Sequence, residues 1–143
     1  PEGITLTKSS SAAIHHVDDD ELMINLVSRY WKKSGLQNPY EAFYSGESFL
    51  DSLSKIQTNS AELPLLVLLD INMPGLDGFQ VLSEMRRSPE FSDIPLCAML
   101  SSSTYQPDID RSAELGANGY IVKPDDAKSY LEFFKSIEEA ISS

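Results

Sequence analysis

The 143-residue chain is 41% hydrophobic and 23% charged, the balance of one soluble globular domain, and a domain of this size buries roughly 68–70% of its unfolded surface. Twenty-two acidic residues against 11 basic ones leave a net charge of −11, which speaks against nucleic acid as a direct partner. No apolar run reaches membrane-spanning length, no signal peptide is visible, and the single cysteine, Cys97, rules out an internal disulfide and suits a reducing, cytoplasmic compartment.

Residues 1–11 start at Pro1, as a processed or excised piece would, and read as a polar, flexible lead-in; residues 12–143 read as the domain. Residues 12–17 (AAIHHV) predict a short strand that runs into Asp18, Asp19, Asp20 and Glu21. Met23, Leu26, Val27 and Tyr30 then recur at helical spacing until Gly35. Residues 40–44 (YEAFY) predict a second strand, and Ser45-Gly46-Glu47 opens a helix carrying Phe49, Leu50, Leu53 and Ile56. Residues 58–64 read as a surface loop. Residues 65–69 are a continuous apolar run, as a strand buried on both faces requires, and the run ends directly on Asp70.

A turn at Pro74-Gly75 follows, then a helix from near Gly78 to about Arg87 built on Phe79, Leu82 and Met85. Residues 96–100 (LCAML) predict a fourth strand, which ends at Ser101-Ser102-Ser103. Pro107 starts a short helix to Leu115, closed by Gly116. Residues 119–122 (GYIV) are a fifth strand ending at Lys123-Pro124. Leu131, Phe134, Ile137 and Ile141 form the buried stripe of the last helix, which leaves Tyr130 and Phe133 as exposed interface residues.

Strand and helix alternate five times, which implies a parallel sheet with helices on both faces. The carboxyl ends of parallel strands share one edge, where ligands bind. Asp18, Asp19, Asp70, Ser101 and Lys123 therefore meet in one crevice. Two carboxylates about 4 Å apart repel by roughly 4 kcal/mol at an effective dielectric of about 20, so three of them need counter-charge. Lys123 supplies one positive charge and a divalent cation two more; hard oxygen ligands favour Mg²⁺ or Ca²⁺. A metal beside a carboxylate, a hydroxyl and a lysine suits a phosphoryl group.

Four motifs occur in order: VDDDE at residues 17–21, LLDINMPGLDG at 68–78, AMLSSS at 98–103 and GYIVKP at 119–124. With this set the chain resembles the receiver domain of two-component response regulators over nearly all of residues 12–141. The resemblance implies the flavodoxin-like (βα)5 fold, a doubly wound parallel sheet of order 2-1-3-4-5. It implies Asp70 as the phosphoacceptor. It gives Mg²⁺ as the cofactor, held by Asp19, Asp70 and the Asn72 carbonyl, with Asp18 acting partly through water. Ser101 and Lys123 would contact the phosphoryl group, Tyr120 would be the aromatic switch, and the Lys123–Pro124 bond would be cis. The partners implied are a histidine kinase or a histidine phosphotransfer protein. A homodimer through the fourth helix, fifth strand and fifth helix is also compatible, with neither membrane nor nucleic acid bound by this domain. Such a domain is a signalling switch that catalyses only its own phosphoryl transfer and dephosphorylation.

Against this stand plainer readings. Asp20 and Asp77 suit helix caps, and Trp31 and Cys97 suit packing. His15 and His16 interrupt a strand that the family keeps apolar, and packing with a hydrogen bond is the first expectation for them. A phosphatase of the haloacid-dehalogenase type also uses an Asp nucleophile after a strand, but it needs a second Asp two residues on, where this chain has Asn72. A degenerate, binding-only receiver is expected to lack Asp70, the acid pair or Lys123, and all are present.

Overall fold

In the computed structural model, which describes residues 12–58, 63–89, 91–123, 128–132 and 134–135, strands and helices alternate as the periodicity predicts. They are β1 (Ile14–Val17), α1 (Glu21–Ser34), β2 (Tyr40–Phe43), α2 (Gly46–Thr58), β3 (Leu66–Asp70), α3 (Gly78–Arg87), β4 (Leu96–Ser101), α4 (Gln106–Glu114) and β5 (Gly119–Val122). Residues 128–132 and 134–135 are helical and form α5. The five strands are parallel, in the order β2-β1-β3-β4-β5. The expected lead-in, the loop residues 59–62, the Lys123–Pro124 bond and the outer residues of the last helix lie outside the described residues.

Local chemistry sets the helix ends. Asp20 caps α1 by accepting from the Leu22 amide at 3.0 Å, and Gly35, at φ 90°, ends it. Asp77 and Gln80 form a reciprocal capping box at the start of α3, with both bonds 2.9 Å. Asp20 and Asp77 are thus caps, as the sequence suggests. α4 has Pro107 in its first turn, begins one residue earlier than predicted and has no side-chain cap.

The sheet is covered on both faces. Val67 and Leu69 of β3 join Val17, Phe49, Leu53 and Phe79 in one core. Leu66 and Leu68, pointing the other way, join Ile14, Val27, Tyr130 and Phe134 in a second. This explains why β3 shows a continuous apolar run rather than alternation. One expectation is overturned here. Tyr130 is buried, stacked on Tyr30 with ring centroids 5.6 Å apart, while Leu131 is only half-buried. The core stripe of α5 runs through Tyr130 and Phe134, four residues apart and hence one above the other on a helix, so Tyr130 is not an interface residue.

Arg86 ties the far ends together. Its guanidinium donates to the carbonyls of Gly116 (3.0 Å), Ile94 (2.7 Å) and Ser92 (3.2 Å) and to Asn118 Oδ1 (2.9 Å). That oxygen also accepts from the Cys97 amide at 2.8 Å.

Candidate functional site

The strand order reverses direction around β1 and β3, and a crevice opens outside their carboxyl ends. Register fills it. Val17 pairs with Leu69, so Asp18 and Asp70 stand side by side. Ser101 closes β4, pairs with Val122, and its carbonyl accepts from the Lys123 amide at 2.7 Å. That backbone bond fixes the root of the lysine, and its ammonium reaches back to Asp70 Oδ1 at 3.1 Å and Asp18 Oδ2 at 3.8 Å.

Asp18, Asp19 and Asp70 each bring a carboxylate oxygen to within 4.8 Å of the others. Asp18 is fully buried, Asp70 is 3% exposed and Asp19 faces solvent. Asp18 Oδ1 accepts from the Asp20 amide at 2.9 Å, whereas Oδ2 is buried without a hydrogen-bond partner among the described residues. An orphaned carboxylate oxygen beside two further carboxylates, with one lysine against them, is a donor set that fits a hard divalent cation. Asn72 is exposed in the loop just past Asp70.

The two buried acids are pushed apart. Burial works against ionisation of Asp18, but the His16 ring, the Asp20 amide and Lys123 outweigh it and hold its pKa below the ordinary value. Asp70 is raised to about 6, by burial first and by the Asp18 charge next, against the pull of Lys123. It remains largely ionised at neutral pH, an anion of raised basicity held in place by a cation.

A second network leads outward from Ser101. Its buried Oγ accepts from the Ser103 amide at 3.0 Å. The Ser103 carbonyl accepts from the Tyr120 hydroxyl at 2.9 Å, and Ser103 Oγ donates to Asp108 Oδ2 of α4 at 3.0 Å. The structure thus brings together Asp18, Asp19, Asp70, Ser101 and Lys123, and links Tyr120 to them through Ser103. Sequence reasoning did not give Ser103 this linking place; the polar run after β4 was its only signal. Nor did it foresee how closely α3 approaches Asp70. A Cβ on Gly78 would lie 2.3 Å from the Asp70 carbonyl oxygen, so only glycine fits.

Comparison with known proteins agrees with this fold. A family model described as the response regulator receiver domain matches residues 14–135. The probable methanogenesis regulatory protein FilR2 of Methanothrix harundinacea is 31% identical over 123 residues, which span 86% of this chain and 77% of that protein. Response regulator Rcp1 of Synechocystis sp. is 28% identical over 85% of this chain and 83% of its own length. The crystal structure of the Mn²⁺-bound form of Rcp1 has a TM-score of 0.72 at 27% identity, covering 90% of this chain and 92% of that one. That of the phosphorylated cyanobacterial phytochrome response regulator RcpA scores 0.78 at 29% identity, covering 92% and 94%.

Proposed function

Because the chain belongs to the family of response regulator receiver domains, we propose that it is a phosphorylatable switch of a two-component phosphorelay with Asp70 as the phosphoacceptor. The observation that carries this reading is the Lys123 ammonium 3.1 Å from Asp70 Oδ1, in a crevice where Asp18 and Asp19 converge on the same point. Receiver domains are signalling switches rather than enzymes acting on a free substrate.

In this reading an Asp70 carboxylate oxygen attacks the phosphorus of a phosphohistidine on a histidine kinase or phosphotransfer protein. A P–O bond forms as the P–N bond breaks, and the electron pair leaves with the donor's imidazole nitrogen. Asp18, Asp19, Asp70 and the Asn72 carbonyl would hold Mg²⁺, which when bound offsets the charge of the acids and of the phosphoryl oxygens. Lys123 pairs with the phosphoryl group once it is on Asp70. The Ser101 hydroxyl accepts from the Ser103 amide, so its own hydrogen is free to donate to a phosphoryl oxygen.

Movement of Ser101 toward that oxygen pulls on Ser103 and, through it, on Tyr120 and α4. This network reaches α4 and β5; with α5 they form the readout surface that the family resemblance implies, through which a homodimer would also form. A reducing cytoplasm suits the buried, free Cys97, and no helix among the described residues is long and apolar enough to cross a membrane.

The test is the intact mass of the chain after incubation with phosphoramidate and Mg²⁺, beside Asp70→Asn. One phosphoryl group on the wild type and none on the variant is the expected result. Equal labelling of both, or of neither, overturns the reading.

A further inference from the structure

β1 carries two histidines, and they do different things. Successive strand residues face opposite sides of the sheet. His15 packs among Phe43 and Phe49, with centroids 5.1 and 6.0 Å away. His16 turns to the other face and is fully buried directly beneath the acid pocket. Its Nε2 lies 3.5 Å from Asp18 Oδ2, and its Nδ1 lies 2.5 Å from the Tyr40 hydroxyl of β2. Neither His16 Nε2 nor Asp18 Oδ2 has a hydrogen-bond partner among the described residues. The Lys123 ammonium lies slightly farther from Oδ2 than His16 Nε2 does, at 3.8 Å.

The chemistry of these groups fixes the direction of the chain. An ionised carboxylate offers only lone pairs, so the imidazole edge facing Asp18 must carry hydrogen. In the neutral ring that proton sits on Nε2, which leaves Nδ1 as an acceptor. The Tyr40 hydroxyl, far nearer to Nδ1 than to its other neighbour, the Ile24 carbonyl at 3.4 Å, then donates to it. We infer that His16 is a positioning residue: a buried chain from the Tyr40 hydroxyl through His16 to Asp18 Oδ2 sets the orientation of the Asp18 carboxylate for a divalent cation.

The inference rests on the metal-binding reading of the acid pocket. Asp18 Oδ1 is already held by the Asp20 amide. His16 acts on the other oxygen and so removes the remaining freedom, rotation about the bond that carries the carboxylate. Partners of this kind, standing one step behind the ligands of a metal, typically change affinity by about 10–100-fold.

The experiment has two readouts. Long-range ¹H–¹⁵N spectra of the metal-free protein at pH 8 report which His16 nitrogen carries hydrogen; Nε2–H is expected, and Nδ1–H overturns the inference. Calorimetric titration with Mg²⁺ then compares wild type, His16→Val, His16→Gln and Tyr40→Phe. Gln restores a donor at the Nε2 position, while Val keeps only the packing.

His16→Val is expected to weaken Mg²⁺ binding roughly tenfold or more, with Tyr40→Phe weakened less and His16→Gln within about threefold of wild type. If Val and Gln weaken binding alike, packing alone is responsible and the inference fails. If Val binds as the wild type does, the inference fails while the metal site stands. A wild type that takes up no Mg²⁺ overturns the metal site itself and the inference with it. Should His16→Val not fold, Tyr40→Phe carries the test: weakened Mg²⁺ binding is expected, and binding equal to that of the wild type overturns the inference.

Discussion

Without a cation, the protein should become more stable when its proposed phosphoacceptor is neutralised. Asp70 is 3% exposed and its pKa is raised from 3.8 to about 6, chiefly by burial and the neighbouring Asp18. A raised carboxyl pKa means that the folded state holds the proton more tightly than the unfolded chain between those two values. The contribution to stability is therefore full below 3.8 and is lost as pH rises through 6.

At about 1.4 kcal/mol per unit, ionised Asp70 costs the fold about 3 kcal/mol at neutral pH. Asp70→Asn removes this cost. Urea unfolding in EDTA at pH 7.5 should show the variant more stable by about 3 kcal/mol, with a Tm higher by roughly 10 °C. At pH 4.5, where Asp70 is mostly protonated, the gap should shrink to about 1 kcal/mol. Mg²⁺ at about 100 times its Kd stabilises the wild type by about 2.7 kcal/mol and should nearly close the gap at neutral pH. An Asn variant no more stable than wild type at pH 7.5 would refute the reasoning, as would a gap that ignores pH.

Three further outcomes follow from the same geometry. Lys123→Ala removes the charge and the hydrogen bond that pull Asp70 down, so in EDTA the carboxyl should titrate above about 6 by ¹³C NMR; with Mg²⁺ the variant should still be labelled by phosphoramidate but show no spectral change at Tyr120, and a full change there would contradict the role given to Lys123. His15 is lowered to about 4 by burial, so its contribution to stability is whole above 6.5 and falls away as pH drops toward 4; in an Asp70→Asn background, where the opposing Asp70 effect is absent, stability should fall by about 2 kcal/mol from pH 7 to pH 5, and His15→Leu should abolish that slope. Gly78→Ala should lose about 1–3 kcal/mol despite the better helix propensity of alanine, because its Cβ meets the Asp70 carbonyl oxygen and Ile71 Cα, backbone atoms that cannot step aside; unchanged denaturation would show that α3 simply shifts.

The fold was readable in the sequence because its signals are local. The apolar run of β3, the Gly35 and Gly116 stops and the Asp caps are each decided by a few neighbouring residues. The crevice was readable because parallel topology sends every strand end to one edge, whatever the details of packing. What could not be read were meetings across the chain. Tyr130 buries because Tyr30, a hundred positions earlier, lies against it, and no periodicity within α5 distinguishes residues 130 and 134 from 131 and 134. Arg86 looks like a surface arginine in a helix until the three carbonyls it serves are in place. His16 was visible as an oddity in an apolar strand, but its partner Tyr40 lies on another strand and enters only with the sheet register.

The cover on the sheet is uneven, and this has a kinetic meaning. Every residue of β1, β3 and β4 is buried, whereas β5 has none buried, and Gly119 faces open space. Opening free energy across the sheet should therefore be graded: amides of β1 and β3 are expected to exchange with solvent only on unfolding of the whole domain, and those of β5 and the loop after β4 through a smaller and cheaper excursion. If Asp70 is the phosphoacceptor as proposed, an added phosphoryl group would have only to bias this poorly covered margin of the sheet, and the buried acid pocket could keep its shape.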